Sequence, residues 1–238
     1  MDNDANMTVF DHVQEFRRRL IIILIVIAIG SAISYSGTEQ IIAFLSKPAG
    51  TLYFMNPAEV FFSYLKVAVF TGFLGTLPVT LWQVWSFIAP ALTKKEKRLC
   101  MVLIPAATIL FYAGLAFSFF LVLPLAIQFF MGFSTETLLP MFSLESYLSF
   151  FITFTLPFGI TFELPIVLIV LGRLGIIDRD FLKRKRKAFI VIAFIFAAVI
   201  SPTGDIFTQT MIAIPMIVLY ELSLNWSKQF GKDWAVDF

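Results

Sequence analysis

Three glutamates in this 238-residue sequence lie where a carboxylate could do chemistry. Glu15 lies within one helical turn of the basic run 17–19, Glu96 lies inside the basic run 94–98, and Glu163 is flanked by apolar residues. A carboxylate binds the planar guanidinium of arginine through two hydrogen bonds, so Glu15 and Glu96 could receive an incoming pair of arginines. The simpler interpretation is that each forms a surface ion pair with its own basic neighbours.

Glu163 is the most unusual of the three because it lies in a long apolar run, directly before Leu164 and Pro165. A carboxylate inside hydrocarbon costs several kcal/mol, so we expect it to be protonated or hydrogen-bonded and to face protein or water. An ionisable residue inside a membrane segment is by default a candidate functional residue. The structural alternative is that Glu163 satisfies backbone groups freed by Pro165.

The composition shows which solvent surrounds these residues. Apolar residues make up 59% of the chain, charged residues only 14%, and the mean hydropathy is +0.88; soluble domains carry about 25% charged residues. A soluble enzyme, a disordered chain and a disulfide-stapled secreted domain with its single cysteine are therefore excluded. No phosphate-binding loop, zinc-protease motif or serine-hydrolase motif occurs, so we expect no enzyme activity, no metal and no cofactor.

The apolar runs predict an all-α, polytopic membrane protein with six transmembrane helices, since about 20 helical residues cross the hydrocarbon. We place a single membrane domain at 1–226, followed by a cytoplasmic tail at 227–238. The expected spans are residues 20–36, 60–88, 99–124, 147–174, 188–200 and 206–224. The first run is not interpreted as a cleaved signal peptide, because it lacks a small-residue cleavage site and five further runs follow it.

The basic residues predict the orientation of the chain. With six spans, all but two of the 18 basic residues, Lys47 and Lys66, fall on the side of the two termini. By the positive-inside rule both termini are cytoplasmic. The basic block 183–187 abuts a span, so we interpret it as a topology anchor at anionic lipid rather than as a nucleic-acid site.

The fifth and sixth spans are short. Residues 188–200 give about 20 Å of helix against about 30 Å of hydrocarbon. Snorkelling of Lys185 to Lys187, a re-entrant hairpin or a locally thin bilayer would each resolve the mismatch, and the thin bilayer is our working hypothesis.

Several ordered motifs resemble the TatC family, the multispan receptor subunit of the twin-arginine protein translocase. The motifs are His12–Leu20, Ser46–Pro48, Pro78–Trp85, Phe87–Leu92 with Glu96 and Arg98, Phe158–Pro165 and Gln209–Met216. The resemblance implies a cupped-hand fold in the cell inner membrane and a receptor for the signal peptides of folded proteins. It also implies the partner subunits TatA and TatB, homo-oligomers within the complex, and export driven by the proton-motive force.

The resemblance assigns residues to two groups. The signal-peptide group is Glu15, Glu96, Arg17, Arg19 and Phe87. The partner and groove group is Pro48, Glu163, Asp205, Gln209 and Met211. The turn from Pro202 to Asp205 is one residue longer than the family pattern, which leaves the role of Asp205 open. An alternative function is a proton-coupled small-solute transporter with Glu163 as the proton carrier.

Overall fold

The computed structural model describes residues 9–88, 94–137, 139–173 and 176–229. Almost all of these residues are helical, and among them Tyr53 and Ser143 form an isolated parallel bridge. The helices are α1 Val9–Tyr35, α2 Thr38–Leu45, α3 Pro57–Gly75, α4 Leu77–Ile88, α5 Lys94–Phe117, α6 Leu123–Met131, α7 Leu144–Phe162, α8 Leu164–Arg173, α9 Arg179–Ile200 and α10 Ile206–Gln229. The all-α prediction is confirmed for this part of the chain.

Four helical stretches in the described ranges are long and apolar enough to cross a membrane. They are Pro57–Gly75, Leu103–Met131, Leu144–Gly172 and Ile206–Asn225. A fifth candidate is the pair His12–Tyr35 and Thr38–Leu45, which bends by 84°. The expected span 188–200 lies in α9, which is not among these candidates because its first half is basic. The six-span count and the cytoplasmic termini therefore stay predictions.

The expected run 60–88 is interrupted in the structure, where α3 ends at Gly75 and α4 begins at Leu77. Pro78 has no N–H to donate to the preceding turn, which interrupts the helical hydrogen bonds at this point. The Thr76 hydroxyl donates to the carbonyls of Gly72 (2.9 Å) and Phe73 (3.1 Å) and satisfies two of the carbonyls at the end of α3. The sequence predicts no break here, because proline is tolerated inside membrane helices.

The chain divides into two compact units, residues 1–108 with 142–148 and residues 109–141 with 149–238. In the first unit α1 packs closely against α3. A Cβ added to Gly72 would lie 2.4 Å from the Ser31 backbone nitrogen, so this contact requires glycine. One turn further, the Ser34 and Thr71 hydroxyls are 2.7 Å apart. Small residues and hydroxyls at a helix contact are typical of membrane proteins.

The segment after α2 is also fixed within the first unit. Tyr53 accepts a hydrogen bond from the Leu144 amide (2.7 Å) and donates one to the Phe142 carbonyl (3.0 Å). The Tyr147 hydroxyl, which is buried, donates to the Leu45 carbonyl at the end of α2 (2.6 Å). These bonds join the start of α7 to both ends of the loop between α2 and α3.

In the second unit α5 and α7 approach closely through two glycines. A Cβ on Gly114 would lie 2.5 Å from the Phe158 carbonyl oxygen, and one on Gly159 would lie 2.8 Å from the Phe111 ring. One helical turn away from this contact, the buried Ser118 hydroxyl donates to the Thr155 hydroxyl (3.3 Å).

Between α5 and α6 the helix widens over Ser118–Val122 into one π-helical turn. The Leu123 amide donates five residues back, to the Ser118 carbonyl. Pro124, which has no N–H, directly follows this turn. Such π-turns accommodate an interruption of the regular bonding without ending the helix.

Helices α9 and α10 pack side by side in the same unit. The Phe189 and Tyr220 rings stack with their centroids 3.9 Å apart. The Tyr220 hydroxyl donates to the Leu182 carbonyl (2.7 Å), and Leu224 completes this small buried cluster.

Candidate functional site

Glu15 and Arg19 lie one turn apart on α1 and form an ion pair. Arg19 donates from Nε (3.0 Å) and Nη2 (2.6 Å) to the same oxygen, Oε1 of Glu15. The third contact of this guanidinium runs from Nη1 to Oε1 of Gln83 on α4 (3.2 Å). Oε2 of Glu15 is buried and has no hydrogen-bond partner among the described residues. The carboxylate thus already binds one guanidinium and retains one unused acceptor oxygen.

Phe87, at the end of α4, lies against the same part of α1. Its ring stacks on His12 with centroids 4.4 Å apart, and Phe16 meets it edge-on at 5.6 Å. The three rings form what we call the Phe87 cluster. Glu15 lies on α1 between His12 and Phe16, so Phe87 and Glu15 belong to the same contact of α1 with α4.

Arg17 and Glu96 are the remaining members of the predicted signal-peptide group. Arg17 is exposed on α1 and forms no ion pair within the described ranges. Glu96 belongs to the first turn of α5, and its side chain lies outside the described residues. The predicted pairing of Glu15 with Glu96 therefore stays a prediction.

Asp205 organises the turn before α10. Its Oδ1 accepts from the Thr208 amide (2.9 Å), which is the bond of a helix N-cap, and its Oδ2 accepts from the hydroxyls of Thr208 (2.8 Å) and Thr203. Gln209 donates from Nε2 to the Gly204 carbonyl (3.0 Å). Gly204 has a φ of +66°, a backbone conformation that favours glycine. The polar groups of this turn thus bind one another.

The pKa of Asp205 reflects these bonds. Partial burial raises the pKa of the carboxyl, but the hydrogen bonds from Thr203 and Thr208 outweigh it, so that the pKa is lowered overall from its ordinary value. Asp205 is therefore an ionised cap at neutral pH. This gives the longer turn a structural role.

The other predicted partner residues lie apart from such networks. Pro48 is half-buried in the turn after α2, and Met211 is half-buried in the second turn of α10. Glu163 lies between α7 and α8, where its own amide donates to the Ile160 carbonyl (3.1 Å). Oε1 of Glu163 is buried without a hydrogen-bond partner in the described part of the chain. This oxygen therefore does not bind the backbone near Pro165, and the choice between a functional and a structural role of Glu163 stays a prediction.

Glu59 is a buried carboxylate that the sequence did not single out. Its Oε2 accepts from the Met55 amide (2.7 Å), and its Oε1 accepts from the Glu145 amide at the start of α7 (3.0 Å). Asn56 in turn accepts from the Glu59 amide (2.9 Å). One carboxylate thus ties the beginnings of α3 and α7 together, an arrangement that we call the Glu59 junction.

The sequence did contain a signal for part of this junction. Asn56 precedes Pro57, and Glu59 follows three residues after the asparagine. An N-cap residue, proline at the first helical position and an acid at the third are typical of a helix start. The contact to α7 had no local signal because it joins residues 86 positions apart.

The apolar helices define a multi-pass membrane protein, in which the Glu15–Arg19 ion pair lies at the contact of α1 with α4. The family model described as "Sec-independent protein translocase protein (TatC)" matches residues 11–215. The chain belongs to this family, so the resemblance drawn from the motifs is confirmed. Its members are components of a protein translocase.

Individual relatives are similar to this chain over nearly its whole length. The Sec-independent protein translocase protein TatC of Carboxydothermus hydrogenoformans is 38% identical over 229 residues, which covers 94% of each chain. The TatC protein of Aquifex aeolicus is 40% identical over 230 residues, with 93% of this chain and 95% of the relative covered. A crystal structure described as the twin-arginine translocase receptor TatC superposes with a TM-score of 0.80 at 39% identity, covering 92% of this chain and 98% of the other.

Proposed function

We propose that this protein is the receptor subunit of a twin-arginine translocation system and binds the signal peptides of folded proteins. The observation that carries the proposal is that Glu15 binds the guanidinium of Arg19 through one oxygen while its other oxygen has no partner in the described ranges. A solved relative is named a twin-arginine translocase receptor, which supports the same function.

Glu15 would act as the arginine-binding carboxylate. An incoming guanidinium would donate to Oε2 once the side chains that bury this oxygen move aside, while Arg19 keeps Oε1 and is itself held by Gln83. Lysine would bind less well, because its ammonium is a point charge and cannot match the carboxylate with a planar pair of donors. Glu96 would receive the second arginine of the pair.

The Phe87 cluster would support this binding from the apolar side. Aromatic rings beside an ion pair exclude water and lower the local dielectric, which strengthens charge-assisted hydrogen bonds. The face of an aromatic ring also attracts a guanidinium directly. Phe87 would therefore favour an arginine and the apolar residues of a signal peptide.

The remaining parts of the proposal follow from family membership. The protein would lie in the cell inner membrane with both termini in the cytoplasm, with TatA and TatB as single-span partners and the proton-motive force as the energy source. Pro48, Glu163 and Met211 would contact the peptide or a partner helix. Asp205 and Gln209 would support the contacts of α10 by holding the turn before it.

Photo-crosslinking tests the proposal. A photoreactive residue in place of Val13, which is exposed on α1 near Glu15, should capture a twin-arginine signal peptide and not a twin-lysine one. Glu15→Lys and Glu96→Lys should each abolish capture. The control is Glu39→Lys, which replaces an exposed carboxylate on α2 in the same unit and should leave capture unchanged. Equal capture of both peptides, or capture that survives in both lysine variants, would contradict the proposal.

A proton-coupled small-solute transporter is the second candidate, because the Glu163 carboxyl is partly buried with an unpartnered oxygen. Membership in a protein translocase family favours a protein substrate over a small solute. Proteoliposomes that contain this protein alone should therefore show no proton-dependent uptake of small solutes. Such uptake, lost in Glu163→Gln, would favour the second candidate.

A further inference from the structure

In the basic block 183–187 at the start of α9, some side chains form an ion pair or a cation–ring contact with another described residue and others do not. Lys183 and Lys185 belong to the first kind. Lys183 Nζ lies 3.5 Å from Asp180 on the same helix. Lys185 Nζ lies 5.8 Å from the centroid of the Phe181 ring. These two lysines are oriented by their own helix.

Arg186 also has a partner, because its Nη2 lies 2.9 Å from the Glu221 carboxylate on α10. Arg184 and Lys187 are exposed, and neither has an ion-pair partner among the described residues. They lie three positions apart, so they share one face of α9. Two unpaired positive charges therefore lie side by side on a surface that faces away from α10.

An apolar stripe continues this face toward the end of α9. Val191, Ile195 and Val199 follow at helical spacing and are 58%, 58% and 79% exposed. The opposite face, with Ala193 and Ala197, is fully buried. The stripe is thus exposed to the surroundings of the molecule.

The length of the stripe matches one leaflet of a membrane. From Lys187 to Val199 the helix rises about 18 Å at ~1.5 Å per residue. One leaflet contributes about half of the ~30 Å hydrocarbon core. A lipid whose headgroup lies at Lys187 would therefore have its acyl chain beside Val191, Ile195 and Val199.

We propose that this face of α9 binds an anionic phospholipid, with the headgroup phosphate on Arg184 and Lys187 and an acyl chain along the stripe. Charge complementarity selects the anionic headgroup, because two neighbouring cations lack a protein counter-ion in the described ranges. An acidic peptide would satisfy the cations but not the apolar stripe directly below them. The site contains none of the residues proposed above to bind the signal peptide.

Native mass spectrometry of the full chain in detergent, titrated with phosphatidylglycerol or phosphatidylcholine, tests the site. Arg184→Gln with Lys187→Gln should weaken phosphatidylglycerol binding on the order of tenfold and leave phosphatidylcholine binding unchanged. The matched control, Lys183→Gln with Lys185→Gln, removes the same charge from the same helix end and should have a much smaller effect. Equal losses in the two double variants would show general charge attraction and overturn the site.

A photoreactive phosphatidylglycerol gives an independent measurement that needs no substitution. Its acyl-chain probe should label Val191 and Ile195 and not the buried Ala193. Labelling that is absent from this stripe, or an acidic peptide that displaces the lipid from Arg184 and Lys187 with higher affinity, would overturn the proposal. No signal peptide is present in either experiment, so their outcome is independent of the proposed receptor function.

Discussion

Arg19 donates two hydrogen bonds to Oε1 of Glu15 and leaves Oε2 of that carboxylate unpartnered within the described ranges. The pair is partly buried, with 22% and 18% of the side chains exposed. Because Gln83 holds the same guanidinium from α4, the position of Glu15 depends on the contact between α1 and α4. An intramolecular arginine thus shows how this carboxylate binds a guanidinium.

Glu15→Gln should reduce the preference of the protein for arginine over lysine in a signal peptide. The amide keeps one acceptor oxygen but loses the charge, and a hydrogen bond to a charged group is worth about 1.5–3 kcal/mol. We therefore expect roughly 10- to 100-fold weaker binding of the twin-arginine peptide. Fluorescence anisotropy with labelled twin-arginine and twin-lysine peptides measures both affinities. The control Glu39→Gln should leave them unchanged, and an unaltered ratio in Glu15→Gln would remove Glu15 from recognition.

The class of protein and the local ion pair could be predicted from the sequence. Composition alone required a membrane, and Glu15 with Arg19 has the i, i+4 spacing of a helical ion pair. Gln83 could not be predicted as the next partner, because it is 64 residues from Arg19 and meets it only after α1 packs on α4. The same limit applies to the contact of Glu59 with Glu145.

The break between α3 and α4 could not be predicted from the sequence, for a physical reason. Proline is compatible with membrane helices, so Pro78 did not by itself indicate a break. The structure interrupts the helix there, and the Thr76 hydroxyl donates to the carbonyls of Gly72 and Phe73 at the end of α3. Pro124 has a different outcome, since the π-helical turn before it keeps the helix continuous. The presence of a proline alone therefore does not determine which outcome occurs.

Gly72→Val should destabilise the first unit strongly. Any Cβ at this position would lie 2.4 Å from the Ser31 backbone nitrogen, so α1 and α3 would have to move apart. Overpacking of this kind costs typically about 1–3 kcal/mol. Thermal unfolding in detergent should show a lower melting temperature.

The control for this substitution is Gly75→Ala on the same helix. A Cβ at Gly75 has nothing within 4 Å, so no clash arises. Replacing a helical glycine at a compatible position stabilises by about 0.4–1 kcal/mol. A melting temperature for Gly72→Val equal to that of Gly75→Ala would contradict the close contact of α1 and α3.

Glu59→Ala should release the start of α7 from the start of α3. The substitution leaves the amides of Met55 and Glu145 without their acceptors, and unsatisfied buried donors are costly. We expect a melting temperature lower by several degrees and faster amide exchange at Glu145. Glu145→Ala is the matched control, because it removes only an exposed pair with Lys66 at 3.7 Å, which contributes little. Similar effects of the two substitutions would contradict the Glu59 junction.

The turn before α10 should loosen in acid through Asp205. The pKa of this carboxyl is lowered in the folded protein from the ordinary value of 3.8, since hydrogen bonds from Thr203 and Thr208 outweigh its partial burial. A group with a lowered folded pKa stabilises fully above its unfolded pKa, and this contribution is lost as pH falls toward the folded value. The Thr208 amide should therefore exchange faster, relative to other α10 amides, once pH falls below about 3.8. Asp205→Asn retains a cap that does not titrate, so its relative exchange at Thr208 should not change with pH; the same acid dependence in this variant would exclude Asp205 as the titrating group.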